Sequence, residues 1–213
     1  MVTVKICGLR DPDMVAFAAR EGADWIGFNF VPQSARYVTP EAAATLMLKL
    51  GKAVPVALVA DPDDALVMQI AALGFPILQL HGQETPERAA EIKSLSGRAI
   101  WKAFGVQTRS DLEQIVAYRC IDALLVDAKA PDGAAFGGGH GQVFDWSILK
   151  DWTAPKPWLL AGGLRPDNVA EAIRQTGAPG VDVSSGVERI RGLKDRELVR
   201  AFIRAAKGSA EQP

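Results

Sequence analysis

The sequence lacks the features that mark secreted, membrane-spanning and nucleic-acid-binding proteins. No apolar run approaches the roughly 18 residues of a membrane-spanning helix, and the opening segment MVTVKICGLR holds no apolar stretch as long as that of a signal peptide. The 24 Lys and Arg residues are balanced by 25 Asp and Glu residues, without the basic block typical of nucleic-acid-binding surfaces. We therefore expect a cytoplasmic protein that binds neither nucleic acid nor membrane.

Cysteine is scarce, and the common metal and nucleotide motifs are absent. The two cysteines, Cys7 and Cys120, are expected to be free thiols in a reducing compartment. No HExxH, CxxC or P-loop pattern occurs in the sequence. The sequence therefore predicts neither a metal nor a nucleotide.

Short runs rich in Val, Ile and Leu alternate with segments of helical spacing. Strands are predicted near residues 2–7, 24–30, 54–59, 76–81, 98–104, 121–127, 157–161 and 180–184. Helices are predicted near residues 11–21, 40–50, 62–73, 86–95, 109–118, 145–151, 166–176 and 195–207. Eight strand–helix units favour a single (β/α)8 TIM barrel of the α/β class over an open sheet of about five or six strands. We expect this domain to span 1–207 and a frayed polar tail to occupy 208–213.

Proline marks the predicted helix starts. At 11–12, 39–40, 61–62 and 85–86 the proline follows an Asp or Thr that can cap the helix, and at 165–166 it follows Arg. The longest irregular stretch, 128–142, is predicted to be functional, because long loops inside compact domains usually are.

Alternation along the predicted strands separates an outer face from an inner one. In the first strand Val2, Val4 and Ile6 share the face expected to pack on helices, so that Lys5 and Cys7 point to the barrel axis. The same parity turns polar residues inward in three other strands. At the carboxyl ends of the strands, where barrel active sites lie, these inward residues are Cys7, Asn29, His81 and Asp127.

A phosphate site is indicated after the last two strands. Gly162 and Gly163 follow strand seven, and Ser184 and Ser185 follow strand eight. Barrels often bind phosphate with these two loops, where glycines let backbone N–H groups approach an anion and serines add hydroxyl donors. The alternative is a pair of ordinary tight turns.

Cys7 and Asp127 are candidates for acid–base chemistry. A lone Cys7 is more often a buried small hydrophobe, but the neighbouring Lys5 favours a thiolate, and a thiol pKa near neutrality suits a general base. Asp127 has the alternative role of a cap or loop ligand, although an inward carboxylate is costly without a function. The inward Asp182 has the same two interpretations.

Arg36 and His81 are candidates for substrate binding. Arg36 is either a solvated surface charge or a clamp for a substrate carboxylate, to which its fork of donors is suited. His81 is either a hydrogen-bonded residue of the mouth or a catalytic group, and the sequence favours neither.

Several of these residues lie in motifs that resemble those of the phosphoribosylanthranilate isomerase family of tryptophan biosynthesis. The resemblance runs from residue 3 to about 207 and keeps order and spacing. The matching motifs are Lys5-Ile6-Cys7-Gly8, Gly27-Phe28 with Pro32, Ser34, Arg36 and Tyr37, Gln79-Leu80-His81-Gly82, Asp127 with Lys129, Phe144-Asp145-Trp146, Gly162-Gly163-Leu164 with Pro166 and Asn168, and Asp182-Val183-Ser184-Ser185-Gly186-Val187-Glu188.

The resemblance implies an Amadori rearrangement of N-(5-phosphoribosyl)anthranilate to 1-(2-carboxyphenylamino)-1-deoxyribulose 5-phosphate. It makes Asp127 the general acid at the furanose oxygen and Cys7 the general base at C2. It makes Arg36 the holder of the anthranilate carboxylate, and Asp182 a group that contacts the sugar or orients the site. Gly162, Gly163, Ser184 and Ser185 are then the phosphate site. The family needs no cofactor, and we expect a monomer acting on a small phosphorylated substrate.

Two other functions are weighed against this one. The isomerase of histidine biosynthesis performs the same rearrangement on a bis-phosphorylated substrate, but its family has an Asp base where this chain has Cys7. Its second phosphate site corresponds to Asp61-Pro62-Asp63-Asp64, which is acidic here. A non-catalytic phosphate-binding barrel is disfavoured by the presence of both Cys7 and Asp127.

Overall fold

Eight parallel strands close into a barrel in chain order. The computed structural model describes residues 1–129 and 145–208. The barrel strands are β1 (Thr3–Cys7), β2 (Trp25–Asn29), β3 (Val54–Val59), β4 (Ile77–Leu80), β5 (Ala99–Val106), β6 (Ala123–Ala128), β7 (Trp158–Leu160) and β8 (Gly180–Val183). Because β8 also pairs with β1, the sheet has no free edge, and the predicted TIM barrel is confirmed.

Helices connect most of the strands. The α-helices are α1 (Pro12–Glu21), α2 (Pro40–Met47), α3 (Asp64–Ala72), α4 (Pro86–Ser96), α5 (Val169–Thr176) and α6 (Arg196–Gly208). The regions predicted as helices at 109–118 and 145–151 instead form 3-10 helices at Arg109–Ala117 and Trp146–Leu149. Within the described ranges, no helix is long and apolar enough to cross a membrane.

Two predicted helix starts are wrong, because side chains hold the preceding turns. Asp61 has a φ of 47° and its carboxylate accepts the Gln83 N–H at 2.7 Å, so that α3 begins later, capped by Asp63. The Asn168 carboxamide accepts the Arg165 N–H at 2.7 Å and donates to the Gly163 carbonyl at 3.1 Å. This closes a turn over 165–168, and α5 begins after it.

A hairpin that the sequence did not predict follows β8. A 3-10 helix at Ser185–Val187 leads into β9 (Glu188–Ile190), which pairs antiparallel with β10 (Leu193–Lys194). Strands of three and two residues are too short to show a period of two in the sequence. The predicted functional loop 128–142 lies outside the described residues from 130 onward. Of the predicted tail, Gly208 belongs to α6 and 209–213 lie outside them.

Inner and outer barrel faces carry separate apolar layers. Val2, Val4 and Ile6 belong to the large core between sheet and helices. The barrel interior is filled by a second cluster, formed by Val56, Ile77, Trp101, Ala123, Leu125 and Leu159. The predicted parity of these strands is therefore confirmed. Above this plug, polar residues such as Asn29 and Asp127 lie beside a small apolar cluster of Cys7, Val31 and Leu58.

Candidate active site

A cleft opens at the carboxyl ends of the strands. Its lining residues are Cys7, Asn29, Val31, Ser34, Arg36, Leu58, Ala60, His81, Asp127, Asp182, Ser184 and Arg191. Six of the nine predicted site residues are in this set. Gly162, Gly163 and Ser185 lie on the adjoining loops and do not line the cleft.

A buried ion pair forms the floor of the site. Lys5 Nζ donates to Asp182 Oδ1 at 2.8 Å, and the Lys5 side chain has no exposed surface. Burial opposes the charge on Lys5, but the Asp182 carboxylate and the Cys7 thiol together raise its pKa above the usual value. Lys5 is therefore a fixed cation beneath Cys7.

The pKa of the Cys7 thiol is higher than the nearby Lys5 ammonium alone predicts. Burial raises the pKa of the Cys7 thiol and Asp182 acts in the same direction, while Lys5 and Lys194 only partly offset them. The expectation of a thiol pKa lowered towards neutrality is therefore wrong, because the loss of solvation outweighs the cations. A thiolate formed here is accordingly a stronger base than one in water.

Asp127 at the end of β6 is about half protonated at neutral pH. Burial and the nearby Asp182 carboxylate raise the pKa of Asp127 to about 7, against weaker opposing effects of the Ala128 N–H and Lys5. A carboxylic acid with this pKa keeps a proton to donate near neutrality, which suits a general acid.

His81 faces Asp127 as a neutral ring. Burial, with the charges of Lys102 and Lys5, lowers the pKa of His81 to about 4. The Gln79 amide nitrogen lies 3.2 Å from His81 Nδ1. An amide nitrogen only donates, so Nδ1 accepts and the neutral ring carries its proton on Nε2. This Nε2 lies 3.7 Å from Asp127 Oδ2.

Arg36 is buried and held by a carboxylate. Its Nε and Nη2 atoms donate to the two oxygens of Glu188 at 2.7 and 2.8 Å. Lys194 Nζ donates to Glu188 Oε1 at 2.8 Å and to the Ser184 carbonyl at 2.9 Å. Burial opposes ionisation of Glu188, but these two cations lower its pKa to about 2. Arg36 is thus a fixed group of the cleft wall and not a solvated surface charge.

The loops after β7 and β8 approach each other closely. Gly162 and Gly163 both have positive φ, at 86° and 62°, and a Cβ on Gly162 would collide with the backbone of Ala128. A Cβ on Gly186 would collide with the Leu164 carbonyl. The Ser184 hydroxyl donates to the Cys7 carbonyl at 3.2 Å and accepts from Lys194 at the same distance. Glycines at this junction let backbone N–H groups approach a small anion closely.

Several polar residues of this site were not among the nine predicted site residues. Gln79 and Glu188 stood within motifs of the family resemblance and were given no role. Lys194 and Arg191 belong to the unpredicted hairpin. Contacts such as Arg36 with Glu188 join residues 152 positions apart, so no local pattern in the sequence shows them.

Comparisons with known proteins agree with this geometry. The profile of the family described as N-(5'phosphoribosyl)anthranilate (PRA) isomerase matches residues 4–205. The chain belongs to this family. An N-(5'-phosphoribosyl)anthranilate isomerase of Hyphomonas neptunium is 75% identical over 213 residues, covering all of both chains. The isomerase of Paracoccus denitrificans is 48% identical, covering 96% of this chain and 97% of the relative.

Solved structures of the PRA isomerase family have the same fold. That of the Thermotoga maritima enzyme is 35% identical, with a TM-score of 0.88 over 98% of this chain and all of the other. A PRA isomerase in complex with reduced 1-(o-carboxyphenylamino)-1-deoxyribulose 5-phosphate is 33% identical, with a TM-score of 0.82 over the same shares.

The protonation of Asp127 has a measurable effect on stability. Its folded pKa of about 7 exceeds the value of about 3.9 for an unfolded Asp, so the folded chain binds more protons between these pH values. Stability is therefore lost as pH rises through this interval. We predict that Asp127→Asn gains stability over the wild type from about pH 4 to about pH 7, with a constant advantage above that.

Urea unfolding of both chains from pH 4 to pH 8 measures this difference. Asp13→Asn, at an exposed carboxylate in the first turn of α1, is the matched control. A difference between Asp127→Asn and wild type that does not vary with pH contradicts the raised pKa.

Proposed function

We propose that this cleft catalyses the Amadori rearrangement of N-(5'-phosphoribosyl)anthranilate to 1-(2-carboxyphenylamino)-1-deoxyribulose 5-phosphate, a step of tryptophan biosynthesis. The observation that carries the proposal is that a protonated carboxylic acid, Asp127, and a thiol, Cys7, line one cleft in a chain of the PRA isomerase family. The reaction is an isomerisation that opens the furanose ring and moves protons within one molecule, and this pair supplies a proton donor and a proton acceptor.

Asp127 acts first. It gives its proton to the furanose ring oxygen as the bond from that oxygen to C1 breaks, and the nitrogen lone pair forms a protonated C1=N bond. With a pKa of about 7, about half of the Asp127 carboxyl groups carry the proton at neutral pH before this step. His81, neutral and 3.7 Å away, remains beside the carboxylate that forms.

Cys7 acts second. Its thiolate takes the proton from C2, and the electron pair of that bond forms the C1=C2 bond of an enolamine. Tautomerisation then adds a proton at C1 and removes one from the C2 hydroxyl, which yields the ketone. The Lys5 ammonium below favours the thiolate, and burial makes that thiolate strongly basic.

The two ends of the substrate bind at opposite sides of this pair. We assign the carboxylate to Arg36, since Glu188 holds its guanidinium in place by two hydrogen bonds. We assign the phosphate to the backbone of Gly162, Gly163 and Ser185 and to Ser184. Asp182 orients the floor through Lys5.

The acidic rim after β3 and β4 favours this substrate over a bis-phosphorylated one. The Asp61 N–H donates there to the buried Glu84 carboxylate at 2.8 Å, and Lys102 pairs with that carboxylate at 3.0 Å. Asp61, Asp63 and Asp64 supply the acidic side chains of the rim. A second phosphate bound at this rim meets carboxylates and loses affinity.

We also propose that the chain is a monomer in the cytoplasm. Its exposed large apolar side chains come from separate elements, among them Met68 on α3 and Leu95 on α4. Cys7 and Cys120 are both free thiols, as in a reducing compartment.

Cys7→Ser and Asp127→Asn are each expected to lower turnover by about 10²-fold or more, the usual scale for removing a general acid or base. The assay follows the fluorescence of freshly prepared phosphoribosylanthranilate as it is consumed. Cys120→Ser and Asp13→Asn, which change the same residue types outside the cleft, should leave turnover within about twofold of wild type. Near-normal turnover in either cleft variant removes that residue from its role, and no turnover by the wild type refutes the proposed function.

Arg36→Met is expected to raise KM more than it lowers kcat, because the carboxylate lies away from the reacting atoms and is bound similarly before and during reaction. Steady-state kinetics in the same assay separate the two constants. An unchanged KM excludes Arg36 as the carboxylate clamp.

A further inference from the structure

The turn between β9 and β10 brings a second guanidinium to the active-site cleft. Arg191 is exposed and lines the cleft together with Arg36, Ser34 and Asp182. Within residues 1–129 and 145–208, it makes no hydrogen bond or ion pair. A cation that faces a binding cleft without a partner is available to a ligand.

The turn that carries Arg191 is firmly anchored. The Gly192 N–H donates to Glu188 Oε2 at 3.0 Å, and its carbonyl accepts from Arg10 Nη2 at 3.2 Å. Gly192 has a φ of 85°, and a Cβ there would lie 2.8 Å from the Ala35 carbonyl. The backbone of the turn is therefore seated against the residue that precedes Arg36.

Arg36 has only part of its hydrogen-bonding capacity left for substrate. Glu188 takes its Nε and one Nη2 donor, which leaves three of the five N–H donors of a guanidinium. The Glu188 carboxylate, which Arg36 shares with Lys194, also offsets part of the positive charge of Arg36 at close range. A substrate carboxylate has two oxygens with about four acceptor sites, more than the free edge of one partly neutralised guanidinium satisfies.

We propose that Arg191 binds the carboxylate of the substrate's aromatic amine together with Arg36, and so determines the preference for an ortho-carboxylated N-aryl glycosylamine. This inference rests on the proposed function. The position of the turn favours the substrate carboxylate over the phosphate as the ligand of Arg191. Gly192 lies against Ala35, which precedes Arg36, and bonds to Glu188, which holds Arg36.

The kinetic test compares two arginines of the same hairpin. Arg191→Gln is expected to raise KM by about tenfold, the scale of one charge-assisted hydrogen bond, with kcat within about twofold of wild type. Arg189→Gln removes the same charge from an exposed position outside the cleft and should leave KM unchanged. An equal rise of KM in both variants shows only a loss of net charge and overturns the assignment, as does an unchanged KM in Arg191→Gln.

A binding test distinguishes carboxylate from phosphate and needs no turnover. The first probe is the reduced product, 1-(o-carboxyphenylamino)-1-deoxyribitol 5-phosphate. The second probe is the same compound made from aniline, so that it lacks the carboxylate. We expect Arg191→Gln to weaken binding of the first probe about tenfold and to leave the second unchanged. Equal weakening of both assigns Arg191 to the phosphate and overturns the proposal. A wild type that binds the first probe but shows no turnover contradicts the proposed function and not this inference.

Discussion

The ion pair between Lys5 and Asp182 is the interaction on which the chemistry of this barrel depends. It joins β1 to β8, where the two residues are paired in register and the barrel closes. Burying both charges is expensive unless they remain together, and removal of one partner of such a pair typically costs about 3–5 kcal/mol. The pair is therefore fixed, and its two charges act on the groups above it in opposite ways.

The Lys5–Asp182 ion pair affects the pKa of Cys7 and the pKa of Asp127 differently. Lys5 favours a thiolate at Cys7, whereas burial and Asp182 disfavour it. At Asp127, burial and Asp182 both favour the neutral acid, and its pKa rises to about 7. One buried carboxylate thus helps to keep a proton on the acid and to make the base strong once it is ionised. A second network, centred on Glu188, holds Arg36 and Lys194 and supports the cleft wall, and Lys194 also acts on Cys7 by lowering the pKa of its thiol.

The sequence predicted the barrel and most of the cleft lining because side-chain alternation is a local property. Once Val2, Val4 and Ile6 were placed outward, Cys7 had to point inward, and the same logic placed Asp127, His81 and Asp182. The features that were missed depend on contacts between residues distant in sequence, or on the balance of opposing effects on a pKa. Asp61 leaves the helix because it binds a backbone N–H from the next loop, and Arg36 after β2 meets Glu188 after β8, the two strands that flank β1. To predict the raised pKa of Cys7, one must know how deeply the thiol is buried, and side-chain alternation along a strand does not give this.

The central claim is that burial together with the Asp182 carboxylate keeps Asp127 protonated near neutrality in the folded chain. The most direct measurement is a titration of the Asp127 carboxyl carbon by NMR in selectively labelled protein, assigned by comparison with Asp127→Asn. The account predicts a midpoint near pH 7. A midpoint near the ordinary Asp value of about 4 would contradict it.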